Sequence, residues 1–360
     1  MKNISLLLLV FITLIGCKNT PEETVVTPKE NKPQSSTRKP STSTSTPRGA
    51  IFDSINAVIK AEPQNAAAYA HRADMHLQRR NTQFALVDVQ QAFALDSNFA
   101  KAYEVYGGIA YTQNKTRESK NAWSKCIELD KENVACRMAL AELYIAVKNQ
   151  KPALLLLNEV IKIDKQNAAA YLMKGVVTRD YLGDTALALN YFQRAVDLDQ
   201  DNMDALDLMG VTLGNIKDTT ALFYYDRMLA INPNRADVYY KKGVLYMSVD
   251  EPNRALEAYT RAIQLNPKDA QSLYNLGYMH IELKLYRQAI DFFTRAINAK
   301  QRNYQAHYGR GFAYEMLGNP ELAKQDYHQS LEILSIYTPA QEALARIKQT
   351  DAEVAKRQQQ

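Results

Sequence analysis

The sequence predicts an all-α fold: an α-solenoid of about eight helix-turn-helix units, closed by a capping helix at each end. Three observations predict it. The stretch QNAAAY occurs at Gln64 to Tyr69 and again at Gln166 to Tyr171, 102 positions apart, which is three times 34; a fixed period of about 20 to 50 residues marks stacked supersecondary units. Small residues recur at that interval as Ala73, Gly107, Ala141, Gly175, Gly210, Gly243, Gly277 and Gly311. A second small series, Ala85, Ser119, Ala153, Ala188, Ala221, Ala255, Ala289 and Ala323, is followed four residues on by Val89, Trp123, Leu157, Phe192, Tyr225, Tyr259, Phe293 and Tyr327. Spacings of three and four place residues on one face of a helix.

The chain opens with MKNISLLLLVFITLIGC, in which Lys2 precedes an uncharged apolar run from Ile4 to Ile15. A span needs about 20 apolar residues in a helix, so residues 1–17 read as an export signal. Leu14, Ile15, Gly16 and Cys17 resemble the lipobox of bacterial lipoproteins, with Ile15 departing from the small residue usual there. That resemblance implies lipidation of Cys17 and cleavage just before it. Acyl chains contribute about 0.8 kcal/mol per buried methylene, so several of them hold a protein on a membrane. Lys18 follows in place of the Asp that acts in some bacteria as an inner-membrane retention signal. The expected location is the outer membrane of a bacterial envelope, with the leaflet open.

Residues 18–49 carry five prolines and twelve Ser or Thr with almost nothing apolar, a composition that cannot bury a core. They read as a disordered tether reaching about 30 Å as a coil and up to about 100 Å when extended. Of the formal net charge of +5, Lys2 supplies +1 and the tether, with six basic and three acidic residues, +3. The remaining +1 on residues 50–360 argues against nucleic-acid binding.

Residues 50–62 have the apolar spacing of a helix, through Ile51, Ile55 and Val58, and read as the amino-terminal cap. Eight units follow over 66–333, and neither helix of a unit could bury its stripe alone. Six of them end in ALD, ELD, KID, DLD, INP and LNP, where Asp, Asn or Pro stops the helix. Unit four carries one extra residue around YLGDTALA, and unit five lacks one around NIKDTTA; both changes are expected in the turn between helices. Residues 338–357 read as the carboxy-terminal cap, with Thr338 as N-cap, Pro339 at the first helical position, Gln341 in capping-box place, and Ala343, Leu344 and Ile347 covering the last unit. Arrays of this kind require closed ends.

Tyr239, Gly243, Tyr246, Ala255, Tyr259, Ala262 and Pro267 of unit six resemble the signature of the tetratricopeptide repeat family, and the resemblance runs over 66–333. It implies a right-handed superhelix whose first helices line a concave groove, with positions two, five, nine, twelve and thirteen of each unit facing a protein or peptide partner.

No catalytic or cofactor motif is present: G-x-S-x-G, G-x-x-x-x-G-K-[ST] and C-x-x-C are all absent. The five histidines make no ligand pair of metal spacing, and neither an enzyme nor a metal site is expected. Cys126 and Cys136 are read as two buried thiols, with a bond between them open in an exported protein.

At the groove positions the carboxy-terminal units present Tyr240, Tyr274, Tyr278, Tyr308 and Phe312, with Lys241 and Asn275 nearby. Tyrosine at position five is common in the family whatever it binds, so Tyr278 and Phe312 at position nine carry the expectation. The middle units present Asp204, Asp207 and Asp237. Aromatic surface flanked by acid suits a peptide with apolar side chains and some positive charge. The family's two-carboxylate clamp for chaperone tails is not reproduced, since unit six has Tyr240 and Val244 at its key places. The reading is therefore a lipid-anchored scaffold for envelope assembly, secretion or wall-enzyme regulation. The alternative is carbohydrate capture by groove aromatics.

Overall fold

The computed structural model describes residues 47–300 and 302–358. The chain divides into two units, Met1–Ala50 and Ile51–Gln360. In the first only residues 47–50 are described, and they are helical. The signal, Cys17 and the tether up to residue 46 lie outside the described residues.

Helix α1 (Pro47–Ala61) begins ahead of the expected Ala50. Eight helical hairpins follow: α2 (Ala66–Gln78) with α3 (Thr82–Leu95), α4 (Ala100–Thr112) with α5 (Thr116–Leu129), α6 (Val134–Ala146) with α7 (Gln150–Ile163), and α8 (Ala168–Val177) with α9 (Thr185–Leu198). The second half continues with α10 (Met203–Asn215) and α11 (Ala221–Ile231), α12 (Ala236–Ser248) and α13 (Pro252–Leu265), α14 (Ala270–Glu282) and α15 (Tyr286–Ala299), then α16 (Tyr304–Met316) and α17 (Pro320–Ile333). Helix α18 (Thr338–Gln358) follows, and no strand occurs among the described residues. Each helix packs on its sequence neighbours. Most first helices also touch the first helix of the next unit, as α2 touches α4 and α6 touches α8, whereas successive second helices make no comparable contact. The first helices therefore form the inner layer of a solenoid.

The small residue at position eight is dictated by what the second helix sends across. A Cβ added to Gly175 would lie 2.4 Å from Phe192, and one on Gly243 2.5 Å from Tyr259. In six units glycine faces an aromatic residue; in units one and three the pairs are Ala73 with Val89 and Ala141 with Leu157, an extra methyl against a smaller partner. All four of those side chains are fully buried. Burying a large apolar side chain contributes about 1.5 to 3 kcal/mol, and the pairing keeps volume constant along the array.

Asparagine caps tie one unit to the next. The Oδ1 of Asn65 accepts the Ala68 N–H at 3.0 Å, and that of Asn167 accepts the Ala170 N–H at 2.9 Å; this is the work done by the repeated QNAAAY. Within each unit the hairpin turns through one left-handed residue: Arg80, Asn114, Lys148, Gly183, Lys217, Asp250, Lys284 and Gly318. In all eight units the residue after it donates its N–H back to the first helix, five residues back in seven of them, as Asn81 does to the His76 carbonyl at 2.8 Å.

Both irregular units keep this closure. The extra residue of unit four is absorbed not in the turn but in the last turn of its first helix, where Thr178–Leu182 is π-helical, and Asp184 closes onto the Thr178 carbonyl at 3.3 Å. The residue missing from unit five is taken from the start of α11, where Ala221, Leu222 and Phe223 bond three residues back, to Asp218, Thr219 and Thr220.

The cysteine expectation is corrected: Cys126 and Cys136 form a disulfide, with Cα atoms 6.4 Å apart. The reason lies in the repeat. The residue near the end of each second helix meets the third residue of the next unit, as Ala92 meets Ala102 and Ala195 meets Ala205. Between units two and three both partners of this contact are cysteine.

The carboxy-terminal cap begins at the expected Thr338, which is a helical residue and not the N-cap. Tyr337 precedes the helix, Thr338 and Pro339 lie inside its first turn, and the Gln341 side chain donates to the Ser335 carbonyl at 2.8 Å instead of closing a capping box. Ala343 and Ile347 are buried against Tyr327, with Leu344 packed beside them. At the other end, Phe52 sits edge-on to the His76 ring at 5.1 Å and Arg72 donates to Asn56 at 2.9 Å.

Candidate functional site

The three position-five tyrosines are half-buried and packed onto the aromatic residue of their own second helix. Tyr240 lies 6.0 Å from Tyr259, Tyr274 5.8 Å from Phe293, and Tyr308 5.5 Å from Tyr327 and 5.4 Å from Tyr337. Burial pushes the Tyr274 phenol up to about 12. These rings fill gaps between helices. Tyr278 and Phe312 are half-buried one turn further on, with Asn275 half-buried on the same helix as Tyr278; burial first, then the Glu282 carboxylate, raises the Tyr278 phenol.

The aspartates are more compensated than the sequence suggested. Lys241 donates to Asp207 and lies 3.8 Å from Asp237. Arg235 holds Asp237 through two bonds of 2.7 and 2.6 Å and keeps its carboxyl below the ordinary value.

A concavity of about 610 Å³ opens where α6, α8 and α10 adjoin, within the range of about 300 to 1,000 Å³ usual for ligand pockets. Its apolar lining is Ile145, Leu172, Met173, Val176 and Leu208, all half-buried. Glu142, Asp204 and Asp207 complete it, the first two exposed. These lie at first-helix positions of units three, four and five, on the inner layer. A second concavity, of about 410 Å³, is lined only by the turn Glu62, Pro63, Gln64 and Asn65, and no helix stripe contributes to it.

The sequence reading gave Asp204 and Asp207 but not the aliphatic floor. The signal was available: position five of unit four is Leu172 and position nine is Val176, where units six to eight place a tyrosine at five. The lining sets three carboxylates around an aliphatic floor, an arrangement that can bury apolar groups beside a positive charge. Elsewhere, Glu104 lies with Cys126 and Cys136 in a ligand-like cluster, but its sulfurs are bonded to each other and offer no thiolate. His307 donates its Nδ1–H to Asp326 at 3.0 Å, and His280 pairs with the Leu276 carbonyl at 2.8 Å; both serve packing.

Residues 168–202 match the model of the tetratricopeptide repeat, and residues 214–296 match that of anaphase-promoting complex, cyclosome, subunit 3. These matches support the tetratricopeptide repeat family. The chain is 31% identical over 75 residues to small glutamine-rich tetratricopeptide repeat-containing protein 2 of Saccharomyces cerevisiae, across 21% of this chain and 22% of that one. It is 25% identical over 182 residues to anaphase-promoting complex subunit 3 of Schizosaccharomyces pombe, across 50% of this chain and 27% of that one. It thus spans about a quarter of the length of the curated relatives it matches. A crystal structure of a tetratricopeptide repeat protein from Parabacteroides merdae, 12% identical, covers 68% of this chain and 97% of its own with a TM-score of 0.51, a likeness of fold.

Proposed function

We propose that the chain is a lipid-anchored tetratricopeptide scaffold of a bacterial envelope that holds a protein partner by a peptide segment in its groove. The observation that carries the reading is the concavity between α6, α8 and α10: aliphatic side chains from three successive units share one water-facing hollow on the inner layer, which an isolated array has no structural reason to leave open. Support for export comes from the signal-like start and lipobox-like residues ending at Cys17, and from a disulfide, which an oxidising compartment favours. Among the described residues no helix is long and apolar enough to cross a membrane; in this reading Cys17 carries the anchor. Envelope assembly, secretion and wall-enzyme regulation are the settings this placement suits.

Two measurements test it. Cys17→Ala should move the protein from the membrane fraction to the soluble one and abolish fatty-acid labelling; retention in the membrane would sink the anchor. Crosslinking in cells should recover a partner with wild type and lose it with Leu172→Asp. A Leu172→Asp protein that melts like wild type and still captures the partner would remove the groove reading.

A further inference from the structure

Resting on the groove as the partner site, we infer that the concavity selects a peptide segment carrying aliphatic side chains beside a lysine or arginine, and that Lys241 is the internal cation which such a ligand displaces. The floor, from Ile145 through Leu172 and Val176 to Leu208, offers only aliphatic contact. It rewards burial of any apolar side chain and discriminates little among them. Discrimination comes from the three carboxylates.

Glu142 and Asp204 are exposed and enter no ion pair among the described residues, although Arg235 lies near enough to feel the charge of Asp204. A ligand that covers the floor takes water from both carboxylates. An uncharged or acidic ligand leaves them without counter-charge, which is costly, whereas a basic side chain supplies it.

Asp207 is already paired, and the pairing is built for exchange. Its cation comes from the next unit, 34 residues on, and that same Nζ stands 3.8 Å from Asp237. Asp237 is held by both arms of Arg235 whether or not Lys241 approaches. When a ligand cation takes Asp207, Lys241 can turn to Asp237 and remain paired. The exchange leaves neither Lys241 nor Asp207 unpaired, at the cost of the bond between them. A guanidinium, which bonds a carboxylate through two parallel N–H groups, suits the exchange better than an ammonium.

The test uses the full chain purified in detergent and a positional-scanning library of decapeptides, read by fluorescence anisotropy. Selection of Leu, Ile, Val or Met beside Arg or Lys is expected, with affinity falling as salt rises. Glu142→Gln and Asp204→Asn, both exposed and isosteric, should each weaken a selected basic peptide about 2- to 5-fold, the range of exposed ion pairs, and leave its Arg→Met counterpart unchanged. Lys241→Met should strengthen the basic peptide by a similar factor, because its competitor is gone. Selection of uncharged or acidic peptides, selection of none, or a Lys241→Met variant that weakens basic peptides overturns the inference. The groove reading falls separately: if Leu172→Asp empties the groove in cells while the library shows no basic preference, the groove stands and the cation selection does not.

Discussion

Units three to five and units six to eight share one repeat and end with different inner surfaces. In units six to eight, position five is tyrosine and lies on the aromatic residue of the second helix, Tyr259, Phe293 or Tyr327. In unit four it is Leu172, and Phe192 beneath is approached by Arg179 at 5.7 Å. Unit five has Asp207 there, turned to Lys241. The regular units spend their aromatics on themselves. An opening forms where that ring is absent and the repeat count slips, which separates residues that build the array from residues free to bind.

The largest test of the contrast is at positions seven and twenty-three. Unit eight buries an ion pair there: Arg310 donates to Asp326 through Nε and Nη2, each at 2.8 Å, and His307 joins at 3.0 Å. Unit four has Lys174 over the Tyr191 ring at 4.4 Å instead. Burial alone would raise the Asp326 carboxyl, but Arg310 and His307 outweigh it and hold it below the ordinary value. The stabilisation is complete above the unfolded value of about 3.9 and is lost as pH falls through the lower, folded value. Asp326→Asn should cost about 3 kcal/mol in urea unfolding at pH 7, since it removes the charged partner of a half-buried guanidinium and of His307, and progressively less as pH falls through the lowered folded value. Tyr191→Ala should cost about 1 kcal/mol with no such pH dependence. Equal costs would show that the end unit is no more dependent on its buried charge than the middle one on its exposed contact.

Next in size is the disulfide at the edge of the middle units. It replaces a contact that, between units seven and eight, is Ala296 against Ala306. Closing a loop of this length stabilises by roughly 2 to 3 kcal/mol, so Cys126→Ala with Cys136→Ala should lower unfolding free energy by about that amount, leaving two alanines that fit the array. A double variant as stable as wild type would mean that the bond constrains little in the unfolded chain.

The glycine–aromatic pairing allows unit six to be rewritten as unit three. Gly243→Ala overpacks against Tyr259 and should cost about 1 to 3 kcal/mol; Tyr259→Leu leaves a cavity and should cost about as much or more. The double variant reproduces the Ala141 and Leu157 pair, so the two changes should couple favourably by about 1 kcal/mol or more. Strict additivity would show that position eight is small for a reason other than its partner.

Much of the fold was legible because each of these pairs is written at a fixed spacing: Gly175 announces Phe192, and Asn167 the start of α8. The site was less legible for a physical reason. Whether a groove aromatic is free depends on the residue beneath it: the position-five tyrosines Tyr240, Tyr274 and Tyr308, which carried no expectation of their own, lie on Tyr259, Phe293 and Tyr327. The cysteines were misread in the same way. Ten residues apart they left a bond open, and the joints at Ala92 with Ala102 and at Ala195 with Ala205 press the same two positions together.

The smallest effects lie in the turns, where the two regions meet one backbone demand with different residues. Unit eight uses Gly318 at φ 76°, and units three and five use Lys148 at 58° and Lys217 at 59°. A side chain at positive φ is strained by about 1 kcal/mol, partly offset because glycine loses more freedom on folding. Gly318→Ala should therefore lose about 1 kcal/mol, and Lys148→Gly should gain up to about 0.5 kcal/mol, both read as shifts in urea midpoint at unchanged slope. Gly183 of unit four, at φ 71°, stands one residue later than its counterparts because the π-helical turn precedes it. If that turn merely displaces the hairpin, Gly183→Ala should cost what Gly318→Ala costs. A much smaller cost would mean that the chain from Thr178 to Asp184 relaxes around the substitution, and that the middle units are soft as well as open.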